Sequence, residues 1–124
     1  MPHIIIEHSS DINNDLILKI QNGTQATLSS VKEGNFDLEQ CKVRSHAFEQ
    51  YLVGSSNQNH SSFLHVTIKI LAGRSAEVRK IVAQKVIDFL NQTLSKNIKS
   101  QRFDLSVDVV EMDRNTYQKL SHFN

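Results

Sequence analysis

Phe63-Leu64-His65-Val66-Thr67-Ile68-Lys69-Ile70-Leu71-Ala72-Gly73-Arg74-Ser75 is the stretch that decides the fold. Through Leu71 it puts Leu64, Val66, Ile68 and Ile70 on one side of an extended chain, the alternation of a half-buried strand. Ala72-Gly73-Arg74-Ser75 turns the chain, and Ser75 is placed to cap a helix by accepting from a free N–H of its first turn. From about 76 to 97, Val78, Ile81, Val82, Val86, Phe89, Leu90 and Leu94 recur at helical spacing. Phe103-Asp104-Leu105-Ser106-Val107-Asp108-Val109 then alternates strictly, as a second strand. Strand, helix and strand form one βαβ unit, expected to cross over with a right hand.

The first half of the chain repeats that order. Residues 2–8 read as a strand bounded by Ser9-Ser10-Asp11, with Asp11 or Ser10 as the cap of a helix between 12 and 32. Leu16, Ile20, Thr24, Thr27, Leu28 and Val31 recur at helical spacing; Gly23 weakens the helix and Gly34-Asn35 stops it. Residues 41–53 read as a strand, with Val43, Ser45 and Ala47 opposite Arg44, His46 and Phe48. The units span 2–53 and 63–112 at an offset of about 61, Pro2 falling against Phe63, within a single domain covering 1–124. The polar connector 54–62 is too short to separate domains, and the tail 113–124 reads as a short helix or an arm onto a neighbour. The expected architecture is α/β (α+β): a four-stranded mixed sheet with both helices on one face. The other face is expected to be apolar and uncovered, and self-association is its economical cover.

Composition removes several function classes. A formal net charge of +1, with no Lys/Arg run longer than two, gives no nucleic-acid footprint. No window approaches the ~20 apolar residues of a membrane span, so no membrane partner and a cytoplasmic location are expected. Cys41 stands alone, which forbids an internal disulfide, suits a reducing compartment and reads as a small buried thiol rather than a nucleophile. His3 and His65 sit in apolar strands and read as histidines bonded to backbone carbonyls. His8, His46, His60 and His122 share no ligand spacing with Cys, Asp or Glu, so neither a metal nor a cofactor is expected. Glu7, Asp104 and Asp108 read as solvated strand residues; Tyr51 and Tyr117 could each supply a phenol to a pocket, but nothing ranks that above packing.

Chemistry enters at the chain's start. Met1-Pro2 leads straight into a strand, and methionine aminopeptidases usually remove Met before a small residue. The mature chain is therefore expected to begin with a free proline amine fixed at the end of a sheet. Such an amine becomes a base near neutral pH once burial or a nearby cation lowers its pKa from the α-amino range of about 7.7–8.0. Arg44, on a strand, and Arg74, at a helix entry, are the candidate anion ligands, because a guanidinium holds a carboxylate bidentately and a helix N-terminus favours negative charge.

With those residues in place the chain resembles 5-carboxymethyl-2-hydroxymuconate isomerases of the tautomerase superfamily over nearly its full length. The resemblance rests on Met1-Pro2-His3 with its Ile-rich strand, on Val43-Arg44-Ser45, and on Phe63 to Ile70 running into Ala72-Gly73-Arg74-Ser75. It implies a trimer that uses Pro2 as general base, with Arg44 and Arg74 holding the carboxylates or enolate of a small dicarboxylate. The implied reaction converts a 2-hydroxymuconate-type dienol to its conjugated keto isomer in aromatic-compound catabolism (homoprotocatechuate degradation). His46 stands where the family pattern has a second arginine, as Arg-Ser-Arg, and is carried as a substrate contact. The family's downstream tryptophan is missing, since the chain has none. Two alternatives stay open: a tautomerase of another small keto or enol acid, and a non-catalytic trimer that binds a small acid or a protein.

Overall fold

The computed structural model describes residues 1–55, 61–100 and 102–123. The elements run β1 (His3–Ser9), α1 (Asn14–Ser29), β2 (Lys42–Phe48), β3 (Ser61–Leu71), α2 (Ala76–Leu94) and β4 (Arg102–Met112). The sheet order is β2-β1-β3-β4, with β1 parallel to β2, β3 parallel to β4, and the two units joined antiparallel through β1 and β3. This is the mixed sheet of two βαβ units that the alternation predicts. His60, the one histidine of the connector, lies outside the described residues.

Both helices lie on one face. Ile4 and Ile6 of β1 and Leu64, Val66, Ile68 and Ile70 of β3 point under them, with no exposed surface. Ile20 and Leu28 of α1 and Val82, Val86, Leu90 and Leu94 of α2 close the core from above, each with none either. Burial of such a side chain stabilises by roughly 1.5–3 kcal/mol, so this layer dominates the fold's free energy. Ser75 caps α2 as expected, its Oγ accepting from the Val78 N–H at 3.2 Å. Gly23 packs under Phe89 where α1 and α2 approach: a Cβ there would stand 1.9 Å from Cζ of that ring, so a larger residue must displace the ring.

The structure corrects several boundaries. Asn13, not Asp11 or Ser10, caps α1: its Oδ1 accepts from the Asp15 N–H at 2.7 Å. Asp11 instead accepts from Ser62 Oγ at 2.5 Å, tying the end of β1 to the start of β3. The duplication follows an offset of 62 rather than 61: Asn13 answers to Ser75, Ile20 to Val82, Thr24 to Val86 and Leu28 to Leu90. An odd offset would put equivalent strand residues on opposite faces. α1 ends at Ser29 because Val31 turns extended and buries; Gly34-Asn35 closes a separate one-turn 3-10 helix, with Asn35 left-handed at φ 51°. β2 stops at Phe48, whose carbonyl accepts from the Ser10 N–H at 3.0 Å, instead of running to residue 53.

The uncovered face departs most from expectation. Register places His3, Ile5 and Glu7 of β1 beside Lys42, Arg44 and His46 of β2, and beside Lys69, Thr67 and His65 of β3, with Asp104, Ser106 and Asp108 on β4. The face is largely polar and charged, so an exposed apolar sheet does not by itself demand a cover.

Candidate active site

The amino end of β1 is tied down before the strand proper begins. Pro2 has no N–H to offer a ladder, but its carbonyl accepts from the Lys42 N–H at 3.1 Å, and its side chain is buried. The terminal amine one residue earlier is held below its ordinary value first by burial and then by the Arg74 guanidinium, with Lys119 and Lys42 adding to the effect and Cys41 opposing it. The start of the chain thus lies among cations from three places: the β3–α2 turn, the start of β2 and the C-terminal tail. Burial pushes the Cys41 thiol above its ordinary value, which keeps it protonated and argues against a nucleophile.

Arg74 is built in firmly. Its Nε donates to the Gly34 carbonyl at 2.6 Å and its Nη1 to the Leu71 carbonyl at 3.4 Å. Its guanidinium carbon lies 4.2 Å from the centre of the Phe36 ring. The turn after α1 therefore supplies both a carbonyl and an aromatic platform, and no bond among the described residues uses Nη2. Burial, then the charge of Arg114, lower Arg74's pKa from its ordinary value, a sign of a guanidinium short of water and counter-charge.

Arg44 reaches the same end of the sheet from the uncovered face. It stands opposite Ile5, and its Nη1 donates to His3 Nδ1 at 3.1 Å. His46 is not brought to this end. It pairs in register with Glu7, two residues further along β2 and so ~7 Å away along the strand. Its ring sits edge-on to Phe48, centroids 4.5 Å apart. The structure thus assembles Pro2, Arg74 and the His3–Arg44 pair at one end and leaves His46 at the other. A hollow of about 540 Å³ lies at that other end, lined in part by Glu7, Tyr51, Phe63 and Asp104. Of its two carboxylates, Asp104 is already paired with Arg102 at 3.0 Å, and Glu7 gives a dianion no counter-charge.

Sequence reasoning missed three contributors and did not rank a fourth, Tyr117, above packing. Phe36 and Gly34 were hidden inside what reads as a helix stop. Tyr117 and Lys119 lie in a tail without periodicity, yet the tail returns to its own chain: Tyr117 Oη lies 2.9 Å from His3 Nε2, and Lys119 bonds Gln40 and Met1 Sδ. His3 and His65 bond side chains rather than backbone carbonyls, His65 through Ser106 Oγ at 2.7 Å. Among the described residues no three His, Cys, Asp or Glu side chains come together to hold a metal, and no helix is long and apolar enough to cross a membrane.

Two βαβ units around an antiparallel centre, entered by a proline-led strand, are the architecture of the tautomerase superfamily. The family model for 5-carboxymethyl-2-hydroxymuconate isomerase matches residues 2–123, and the chain belongs to that family. A 5-carboxymethyl-2-hydroxymuconate Delta-isomerase of Escherichia coli is 26% identical over 117 residues, covering 90% of this chain and 87% of the relative. A crystal structure of such an isomerase from Deinococcus radiodurans superposes with a TM-score of 0.85 at 20% identity, covering 98% of this chain and 90% of that one. A fused 4-OT described as a symmetric trimer superposes with a TM-score of 0.73 at 13% identity, covering 93% and 91%.

Proposed function

We propose that this isomerase converts a 2-hydroxymuconate-type dienol dicarboxylate to its conjugated keto isomer, with the Pro2 amine, freed by removal of Met1, as the base. The observation that carries the reading is the cationic, partly buried setting of the chain's amino end, with Arg74 the leading charge. Burial and the Arg74 charge lower the pKa of an amine at that place, the direction a proton-accepting group needs. It takes the proton from the enol oxygen and returns it to the far carbon of the diene. The oxygen–hydrogen bond breaks, a carbon–hydrogen bond forms, and the double bonds shift by one position. Arg74 stabilises the dienolate and holds a carboxylate, while Arg44 holds the other. Base catalysis of this kind contributes typically ~10²–10⁴-fold. The steps call for no cofactor, and the reaction belongs to breakdown of aromatic compounds in the cytoplasm.

The same reading makes the protein a homotrimer. Lys42 and Arg44 lie on β2 and Asp108 on β4, where Asp104 is already paired with Arg102, at opposite edges of one sheet face. That separation of sign suits a head-to-tail ring in which β2 of one copy meets β4 of the next, and the fused 4-OT is described as a trimer. Within that ring, His46 can meet substrate held at a neighbour's Pro2 end.

The test is ketonisation of the dienol followed by ultraviolet absorbance, with sedimentation at micromolar concentration. Three protomers and saturable turnover are expected. Tight binding of the dienol without turnover points instead to a small-acid-binding module, and faster turnover of a monocarboxylic enol acid assigns another tautomerase substrate.

A further inference from the structure

The contacts of His3 settle its tautomer. A guanidinium carries only donors, so the 3.1 Å contact with Arg44 Nη1 requires Nδ1 of His3 to accept. The ring's one proton then sits on Nε2 and is donated to Tyr117 Oη at 2.9 Å. The two rings meet edge-on with centroids 5.9 Å apart, so the tail holds the imidazole by packing as well. Tyr117 and His3 are both half-buried, whereas Arg44 is exposed, and among the described residues His3 is the one hydrogen-bond partner that fixes its long side chain. The order runs from the tail, through the ring, to the arginine.

We infer that His3 is a positioning residue that orients Arg44 for a substrate carboxylate, and that Tyr117 of the C-terminal tail fixes His3 in the accepting orientation. This rests on the reading of Arg44 as a carboxylate ligand but not on Pro2 as the base. Its consequence is a binding end that responds to acid. A second proton on His3 removes the acceptor and places a cation against Arg44. The groups around the ring already disfavour that proton: burial most, then Arg44 and Lys42 from β2, the chain's amine, and Lys69 from β3. Tyr117 faces it from the tail. Arg44 thus stays oriented at neutral pH and is released in acid.

The decisive measurements are imidazole nitrogen-15 spectra of the full chain and binding of adipate, an unreactive dicarboxylate, by calorimetry from pH 5 to 8. His3 is expected as the Nε2–H tautomer. His3→Leu should weaken adipate about tenfold, the change carried by about 1.4 kcal/mol. His3→Gln, whose amide oxygen can still accept from Arg44, should recover most of that loss and abolish the weakening in acid. Tyr117→Phe should weaken adipate a fewfold. On the dienol, the same variants should raise KM more than they lower kcat. A Nδ1–H tautomer, equal affinities for His3→Leu and wild type, or no binding of adipate by wild type overturns the inference. Adipate binding with this pattern, but no turnover of the dienol, leaves the inference standing and removes the Pro2 reaction.

Discussion

Arg74→Ala is the substitution whose effects divide most clearly. In the fold, Arg74 donates to the Gly34 and Leu71 carbonyls and lies over Phe36. The first bond is short; the second, at 3.4 Å, is weak. Hydrogen bonds from a charged group contribute ~1.5–3 kcal/mol, and an exposed cation–π contact ~0.5–1 kcal/mol. The side chain is only half-buried, so a net stability loss of about 2 kcal/mol is expected, read as a lower urea midpoint at unchanged slope. In catalysis the loss is separate: one charged contact to a carboxylate or dienolate corresponds to ~1.5–3 kcal/mol, or about 10- to 150-fold in kcat/KM. Arg74→Lys should restore part of each, because a point charge replaces a planar fork. The assay is ultraviolet-followed ketonisation at a temperature where both variants are folded by circular dichroism. Unchanged kcat/KM in a folded Arg74→Ala protein refutes the placement of Arg74 at the site, whatever happens to stability.

Other expectations follow from single residues. Thr24 Oγ1 is buried without a hydrogen-bond partner where the second unit carries Val86, so Thr24→Val should stabilise by ~1 kcal/mol in urea unfolding. His3 is lowered by burial and by Arg44, so the unfolded chain binds more protons on the acid side of the ordinary histidine value of about 6.5. That contribution is therefore complete above about pH 6.5 and shrinks as pH falls toward the lowered value; His3→Gln should flatten that part of the stability-versus-pH curve. Because burial raises the Cys41 thiol, iodoacetamide at pH 7.5 should alkylate it more slowly than a free cysteine, with equal rates arguing against its burial.

The strands and helices were legible because their pattern is redundant. Leu64, Val66, Ile68 and Ile70 point one way whatever happens at either end of β3, and all four are buried. Ends were less legible, since they depend on single bonds: Asn13 outcompetes Asp11 as a cap because Asp11 is engaged by Ser62, fifty-one residues away. The offset of 61 came from aligning strand starts, whereas buried pairs such as Ile20 and Val82 demand 62. The polar face was misjudged because the apolar strand residues are mostly consumed by the helix side, which leaves Lys42, Arg44, Glu7, Lys69 and Asp108 for the other. At the candidate site, Pro2, Arg44 and Arg74 stand out by residue type and position. Phe36, Tyr117 and Lys119 act through contacts across the chain that carry no periodicity, so only the folded structure reveals them.

The most direct test of the central claim compares chains that differ only in Met1. With Met1 removed, Pro2 carries a secondary amine; with Met1 retained, the same nitrogen is a tertiary amide that cannot accept a proton. The buried Pro2 side chain and its 3.1 Å bond from Lys42 are common to both, so unfolding should not differ greatly. With each form verified by intact mass, the processed protein should ketonise the dienol with a kcat/KM that rises with pH on a limb below the ordinary α-amine range. Pro2→Ala, processed in the same way, should keep part of that activity on a displaced limb. The Met1-retaining form should lose activity by ~10²-fold or more, the lower range of what a positioned base contributes. Equal rates for the processed and Met1-retaining forms would contradict the account.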